Sequence, residues 1–143
     1  MSGAPDVVGV WRLVGGTVTD PSGKKVGVPY GPRGMGLVTL TADGRMMAVL
    51  VDGRPTLPDG GKRDYSSYCG NYTFDGSTLI TTVDAASDPA RMGSQQVRKV
   101  RLDGNRMILV PPDREEGGVM LHRELTWERV SSVSLEVTVS SRA

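Results

Sequence analysis

The stretch Gly117–Val130, GGVMLHRELTWERV, decides the fold of this chain. From Val119 onward, its odd positions are apolar apart from Arg123 and Arg129, and its even positions are mostly polar. A period of two is typical of a strand with one buried face. An arginine on that face is costly unless it is paired or hydrogen-bonded. We therefore expect that Arg123 either has an interior partner or lies where the fold is open.

Length and composition limit the possibilities. A chain of 143 residues predicts a single domain over residues 1–143, with a core at about 7–130 and an extra strand or tail at 131–143. A net charge of +1 does not favour nucleic acid or an anionic membrane as partner. The single cysteine, Cys69, excludes an internal disulfide and a multi-cysteine metal site, and we predict no metal and a cytoplasmic location.

Three Asp-Gly pairs punctuate the chain at positions 43–44, 75–76 and 103–104. Asp-Gly between two alternating runs is a strong hairpin signal, and no segment has the period of an amphipathic helix of ten residues. These features predict an all-β fold, a closed up-and-down antiparallel barrel of about eight to nine strands with an internal ligand cavity. Residues 133–139 alternate again, which indicates a ninth strand at the barrel seam or an edge for a homodimer.

The inward faces of the predicted strands supply the expected cavity wall. Many of these residues are of modest size, which favours a cavity over a solid interior. We expect ligand contacts from Tyr30, in a Gly/Pro-rich loop, and from Val38, Leu40, Met46, Ala48, Leu50, Thr81, Gln96, Met107, Leu109, Leu121 and Leu125.

Seven short motifs occur in order along the chain. They are Gly9-x-Trp11-Arg12-Leu13, Tyr30-Gly31-Pro32-Arg33-Gly34, Thr41-Ala42-Asp43-Gly44-Arg45-Met46, Tyr68-Cys69-Gly70-Asn71-Tyr72, Gly93-Ser94-Gln95-Gln96-Val97-Arg98, Leu102-Asp103-Gly104 and Leu125-Thr126-Trp127-Glu128-Arg129. With them the chain resembles the bacterial and fungal lipocalin-like domain family, small relatives of the calycin barrels, from about Val8 to Val130. The resemblance implies a barrel with an internal pocket and a tryptophan, Trp11, packed under Arg129. It implies little about activity.

Four polar residues on the inferred inner faces are the candidate catalytic residues: Arg98, Arg123, Tyr68 and Tyr72. Interior guanidinium groups bind carboxylate or enolate oxygens in a two-pronged geometry, and the tyrosines could donate to the same oxygen. We expect the two arginines to converge on one such oxygen. The competing interpretations are a register error of one residue, which would turn both arginines outward, and tyrosines that merely fill the barrel.

The predicted function is binding of a small apolar, oxygenated ligand that is acidic or enolisable. The favoured version is an enzyme of secondary metabolism without a cofactor, an isomerase, cyclase or hydro-lyase. The alternatives are a non-catalytic carrier and an interaction module that uses the 133–139 edge. An acid or base inside the cavity would distinguish the enzyme from the non-catalytic carrier. The sequence offers no obvious inward carboxylate or histidine.

Overall fold

The structure, a computed structural model, describes residues 6–131. Within that range the chain forms ten strands and two short 3-10 turns, Pro58–Gly60 and Pro89–Arg91. The strands are β1 (Gly9–Thr19), β2 (Lys25–Gly27), β3 (Gly34–Leu40), β4 (Arg45–Asp52), β5 (Tyr65–Phe74), β6 (Thr78–Ala86), β7 (Gln95–Asp103), β8 (Arg106–Val110), β9 (Arg114–Glu116) and β10 (Val119–Ser131). The predicted strand at 133–139 lies outside the described residues.

Eight of these strands close on themselves. The order β1-β3-β4-β5-β6-β7-β8-β10 is completed by antiparallel pairing of β10 with β1, while β2 and β9 are extra strands beside β1 and β10. Closure pairs the backbone groups that an open sheet would leave exposed at its edges. The predicted all-β, closed antiparallel barrel is confirmed.

The three Asp-Gly hairpins are present as predicted, between β3 and β4, β5 and β6, and β7 and β8. Gly44, Gly76 and Gly104 have φ of 95°, 102° and 59°, in the left-handed region that glycine adopts without steric cost. In the second turn the Asp75 carboxylate also accepts backbone N–H bonds from Ser77 and Thr78, at 2.9 and 2.8 Å. Turn chemistry therefore fixes three of the barrel connections locally.

Two further short strands, β2 and β9, lie in connections between the strands of the barrel wall. Strand β2 lies within the loop at 20–33, and β9 lies within the loop at 111–118. Neither strand has a buried residue, so neither produces the alternation of buried apolar and exposed polar residues by which strands are recognised in a sequence. They form because β1 and β10 extend past the barrel wall and offer free backbone groups there.

Trp11 closes one end of the barrel, in the contact that the resemblance implied. Its side chain is fully buried, and its indole nitrogen donates to the Val7 carbonyl oxygen at 3.0 Å. The guanidinium carbon of Arg129 lies 4.2 Å from the centre of the indole ring. The same guanidinium donates to the carbonyl oxygens of Val8 and Asp6, at 2.7 and 3.0 Å. Arg129 thus ties the start of the chain to the last strand across the Trp11 ring.

Truncation of Trp11 should destabilise the barrel strongly. We expect Trp11→Ala to lower the free energy of unfolding by about 3–5 kcal/mol, because it leaves a cavity at the closed end and removes the surface under Arg129. Val14→Ala, at a half-exposed position of the same strand, is the control and should cost less than about 1 kcal/mol. Urea unfolding measures both. A loss below about 1 kcal/mol for Trp11→Ala would contradict the closing role.

Candidate functional site

The barrel interior contains a pocket of about 60 Å³ next to an outer cleft of about 690 Å³. Five residues line both spaces and therefore form the boundary between them: Tyr30, Ser66, Arg91, Arg98 and Leu125. The rest of the inner pocket is lined by Val38, Met46, Ala48, Leu50, Tyr68, Leu109 and Trp127. Its wall is therefore mostly apolar, with the charged groups gathered on the side of the cleft.

Arg98 points inward from β7 and supplies one of these charges. Its guanidinium donates to the Val97 carbonyl oxygen at 2.9 Å and to the Gln96 side-chain oxygen at 3.0 Å. No carboxylate of residues 6–131 lies within ion-pair distance of it. Burial, assisted by the nearby charge of Arg91, lowers the pKa of Arg98, although a guanidinium remains protonated at neutral pH. Arg98 is thus a cation in the pocket wall without an anionic partner in the described chain.

Tyr68 is buried beside Arg98 and lines the inner pocket. The guanidinium carbon of Arg91 lies 5.6 Å from the centre of its ring. Burial raises the pKa of the Tyr68 phenol, and the opposing influence of Arg98 and Arg91 does not reverse that shift. The phenol therefore remains protonated at neutral pH and can donate a hydrogen bond to an oxygen in the pocket.

Arg91 is a member of the site that the sequence analysis missed. It ends the 3-10 turn Pro89–Arg91, whose first residues are fixed by a hydrogen bond from the Ala90 N–H to the Asp88 carboxylate at 3.0 Å. The only signal in the sequence was a basic residue in a loop without periodicity. Its position depends on how the β6–β7 connection folds back over Tyr68, which no local pattern encodes.

Tyr30 stands at the boundary in a constrained backbone conformation. Its φ is 61°, which is uncommon for a residue other than glycine, and Gly31 follows with φ of 73°. The buried Asp52 carboxylate lies directly against this turn, since a Cβ added to Gly31 would be 2.7 Å from Asp52 Oδ2. Arg54 binds the same oxygen at 2.7 Å, and its hydrogen bond holds the pKa of Asp52 below the usual range. This ion pair supports the loop that places Tyr30 over the pocket.

The structure separates the four candidate catalytic residues. It brings Arg98 and Tyr68 together, but Tyr72 lies outside both pocket walls and donates to the Thr41 carbonyl oxygen at 2.7 Å. Arg123 lines only the outer cleft, where its guanidinium lies 2.6 Å from the Glu116 carboxylate. Hydrogen bonds from Arg114 and Arg123 lower the pKa of Glu116. Arg123 therefore already has an anionic partner and does not share the inner pocket with Arg98.

The predicted ligand contacts divide by depth in the barrel. Six of the predicted apolar contacts line the inner pocket, whereas Leu121 lines the outer cleft and not the inner pocket. Leu40, Thr81 and Met107 are buried and absent from both pocket walls. Gln96, also absent from both walls, accepts from the Arg98 guanidinium and donates to the Ser94 hydroxyl at 3.4 Å. The inner six are Val38, Met46, Ala48, Leu50, Leu109 and Leu125.

Trp127 forms part of the inner wall, and its indole N–H is buried without an acceptor among the described residues. A buried donor without a partner costs about 1–3 kcal/mol. No sequence signal indicates an unsatisfied N–H, because the donor's surroundings are set by side chains from several strands.

A model of the lipocalin-like domain family matches residues 8–130. The chain belongs to the lipocalin-like domain family. The match spans the eight strands of the barrel and the whole inner pocket. Membership of this family supports small-molecule binding by the barrel. A search of curated proteins found no match to the chain. In residues 6–131 of this lipocalin-like barrel no helix is long and apolar enough to cross a membrane.

The only histidine of this lipocalin-like chain, His122, lies outside the inner pocket and bridges two carboxylates. Its Nδ1 is 2.7 Å from Asp113 Oδ1, and its Nε2 is 2.9 Å from Glu124 Oε2. These two hydrogen bonds, the one to Glu124 first, raise the pKa of His122 above its ordinary value. Protonated His122 thereby links the connection after β8 to β10.

This linkage predicts a pH-dependent contribution to stability. In the unfolded chain the imidazole pKa is about 6.5, and in the folded protein it is higher. Protonation of His122 therefore contributes its full stabilisation at pH values below the unfolded pKa, and this contribution is lost as the pH rises through the folded pKa. We expect His122→Gln to lower the free energy of unfolding more at pH 5.5 than at pH 9. Urea unfolding at the two pH values checks this, and an NMR titration should give an imidazole pKa above 6.5. An equal loss at both pH values would show that protonation is irrelevant to the contact.

Proposed function

We propose that this lipocalin-like barrel binds a small apolar molecule that ends in a carboxylate or a comparable oxyanion. The observation that carries the proposal is the Arg98 guanidinium, which reaches the inner pocket without a carboxylate partner in the described chain. The remaining pocket wall is mostly apolar, so it suits the body of such a ligand.

Electrostatics favour an anion at this position. A partly buried cation is costly unless a counter-charge or hydrogen bonds compensate it, and Arg98 has one carbonyl and one amide oxygen. A ligand carboxylate would add a charge-assisted hydrogen bond, which is roughly twice as strong as a neutral one. Arg91 adds a second positive charge at the boundary, and the protonated Tyr68 phenol adds a donor.

The dimensions indicate how the ligand would be arranged. An inner pocket of about 60 Å³ holds only a short segment, because one water already requires about 10–15 Å³ on this measure. The outer cleft of about 690 Å³ can take a larger remainder. Binding of a short aliphatic segment inside, with the oxyanion near Arg98 and any bulky part in the cleft, fits both volumes.

Catalysis without a cofactor, as an isomerase, cyclase or hydro-lyase, is the second candidate. Arg98 and Tyr68 lie side by side, and two such donors can stabilise an enolate oxygen. Proton transfer also needs a base, and the inner wall has no carboxylate or imidazole among the described residues. Binding is therefore the better supported function. A homodimer through residues 133–139 remains a separate proposal.

Arg98 should determine the affinity for acids. We expect Arg98→Gln to weaken binding of heptanoate about 10- to 100-fold, the value of a hydrogen bond to a charged group, and to leave binding of 1-heptanol nearly unchanged. Arg101→Gln is the matched control, because Arg101 lies on the same strand with an exposed side chain that contacts Glu124. NMR titration of the labelled protein measures each dissociation constant, and circular dichroism checks the fold.

Two results would contradict this proposal. One is equal affinity of heptanoate for the parent and Arg98→Gln, and the other is an equal loss in Arg98→Gln and Arg101→Gln. The catalytic candidate is examined separately with 4-oxoheptanoate in deuterium oxide. Protein-dependent exchange of the protons beside the ketone would favour catalysis, and exchange at the background rate would leave binding as the function.

A further inference from the structure

We propose that the ligand of this barrel carries a second oxygen acceptor within its apolar chain, a keto or ether oxygen, and that the Trp127 indole N–H binds it. This inference rests on the proposed function, since it assumes an acid held at Arg98. It adds the chemical feature that would distinguish the preferred ligand from a simple aliphatic acid.

The first observation is the state of the Trp127 side chain. It is 2% exposed, it lines the inner pocket, and its Nε1 has no acceptor among residues 6–131. The other tryptophan provides an internal comparison. Trp11 is equally buried, yet its Nε1 donates to the Val7 carbonyl oxygen at 3.0 Å. The fold therefore satisfies one of its two indole donors and leaves the other, on a residue that lines the pocket, without an acceptor among the described residues.

The second observation is the depth of Trp127 relative to Arg98. Trp127 pairs with Met107 on β8, and Met107 pairs with Leu102 on β7. Leu102 follows Arg98 by four positions on β7, which corresponds to about 13 Å of strand. The two residues thus line the same pocket at different levels of the barrel.

The level between them is apolar. Leu109 and Leu125 are paired across β8 and β10 at this depth, and both line the inner pocket. A ligand that satisfies the whole wall therefore has an oxyanion, a short aliphatic segment and then an acceptor atom. The acceptor requirement follows from chemistry, because the indole nitrogen can donate but cannot accept a hydrogen bond.

A series of small acids tests this arrangement. Heptanoate and its 4-oxo, 5-oxo and 6-oxo derivatives share one length and one charge, and they differ only in where the acceptor lies. We expect at least one oxo acid to bind the parent about 2- to 10-fold more tightly than heptanoate, the range for a neutral hydrogen bond. Trp127→Phe should lose the preference for that oxo acid, measured as the ratio of its dissociation constant to that of heptanoate in the same variant.

The indole resonances give a readout that does not depend on the variant. In the parent protein labelled with nitrogen-15, the Trp127 N–H signal should move downfield with the preferred oxo acid and not with heptanoate. The Trp11 signal is the internal reference and should not differ between the two ligands. This measurement tests the contact directly even if Trp127→Phe does not fold.

The outcomes separate this inference from the proposed function. If heptanoate depends on Arg98 but no oxo acid is preferred, or if Trp127→Phe keeps the preference, the second acceptor site is refuted and the acid site stands. The second acceptor site is also refuted if the preferred oxo acid binds without moving the Trp127 N–H signal, as would happen if water already accepts from this N–H. If no acid depends on Arg98, the proposed function fails first.

Discussion

Pairing of β10 with β1 is the constraint on which the rest of this barrel depends. It runs from Val10 opposite Ser131 to Thr19 opposite His122, with register shifts at two points. The last strand thereby joins the first, and every strand of the wall gains two neighbours. Because side chains of a strand alternate, this one register fixes which residues of β10 face inward. It puts Trp127 in the pocket wall and brings Arg129 over the Trp11 ring.

Much of this arrangement could be predicted from the sequence, because it depends on local chemistry. Period-two alternation places the inner residues of the strands that form the barrel wall, and glycine with positive φ marks the three tight turns. Gly70 shows where this ends. A Cβ there would collide with the Thr82 carbonyl oxygen, at a register shift between β5 and β6. Nothing in the residues around Gly70 indicates that approach, since it depends on a strand whose register is set elsewhere.

The candidate site was less predictable than the fold for the same reason. Alternation correctly placed Arg98 and Tyr68 on inner faces, but it could not distinguish an arginine without a carboxylate partner among the described residues from an ion-paired one. Arg123 has the same alternation as Trp127, yet it contacts Glu116 from β9, a strand with no sequence signal. The position of Arg91 and the indole N–H of Trp127, which has no acceptor among the described residues, likewise depend on contacts between distant segments. Periodicity specifies a face, whereas partners require the complete three-dimensional neighbourhood.

The two parts of the cavity differ in the strength of the interactions that build them. The outer cleft has an exposed edge of ion pairs, with Glu116 bound to Arg114 and Arg123. Such pairs contribute about 0–1 kcal/mol each in water, so this edge can rearrange at little cost. The inner pocket is lined mostly by apolar side chains that pack in the core, where a change of one methylene affects the packing. With the proposed ligand, discrimination is therefore expected between Arg98 and Trp127, and the cleft is expected to tolerate variation in the part of a ligand that remains outside.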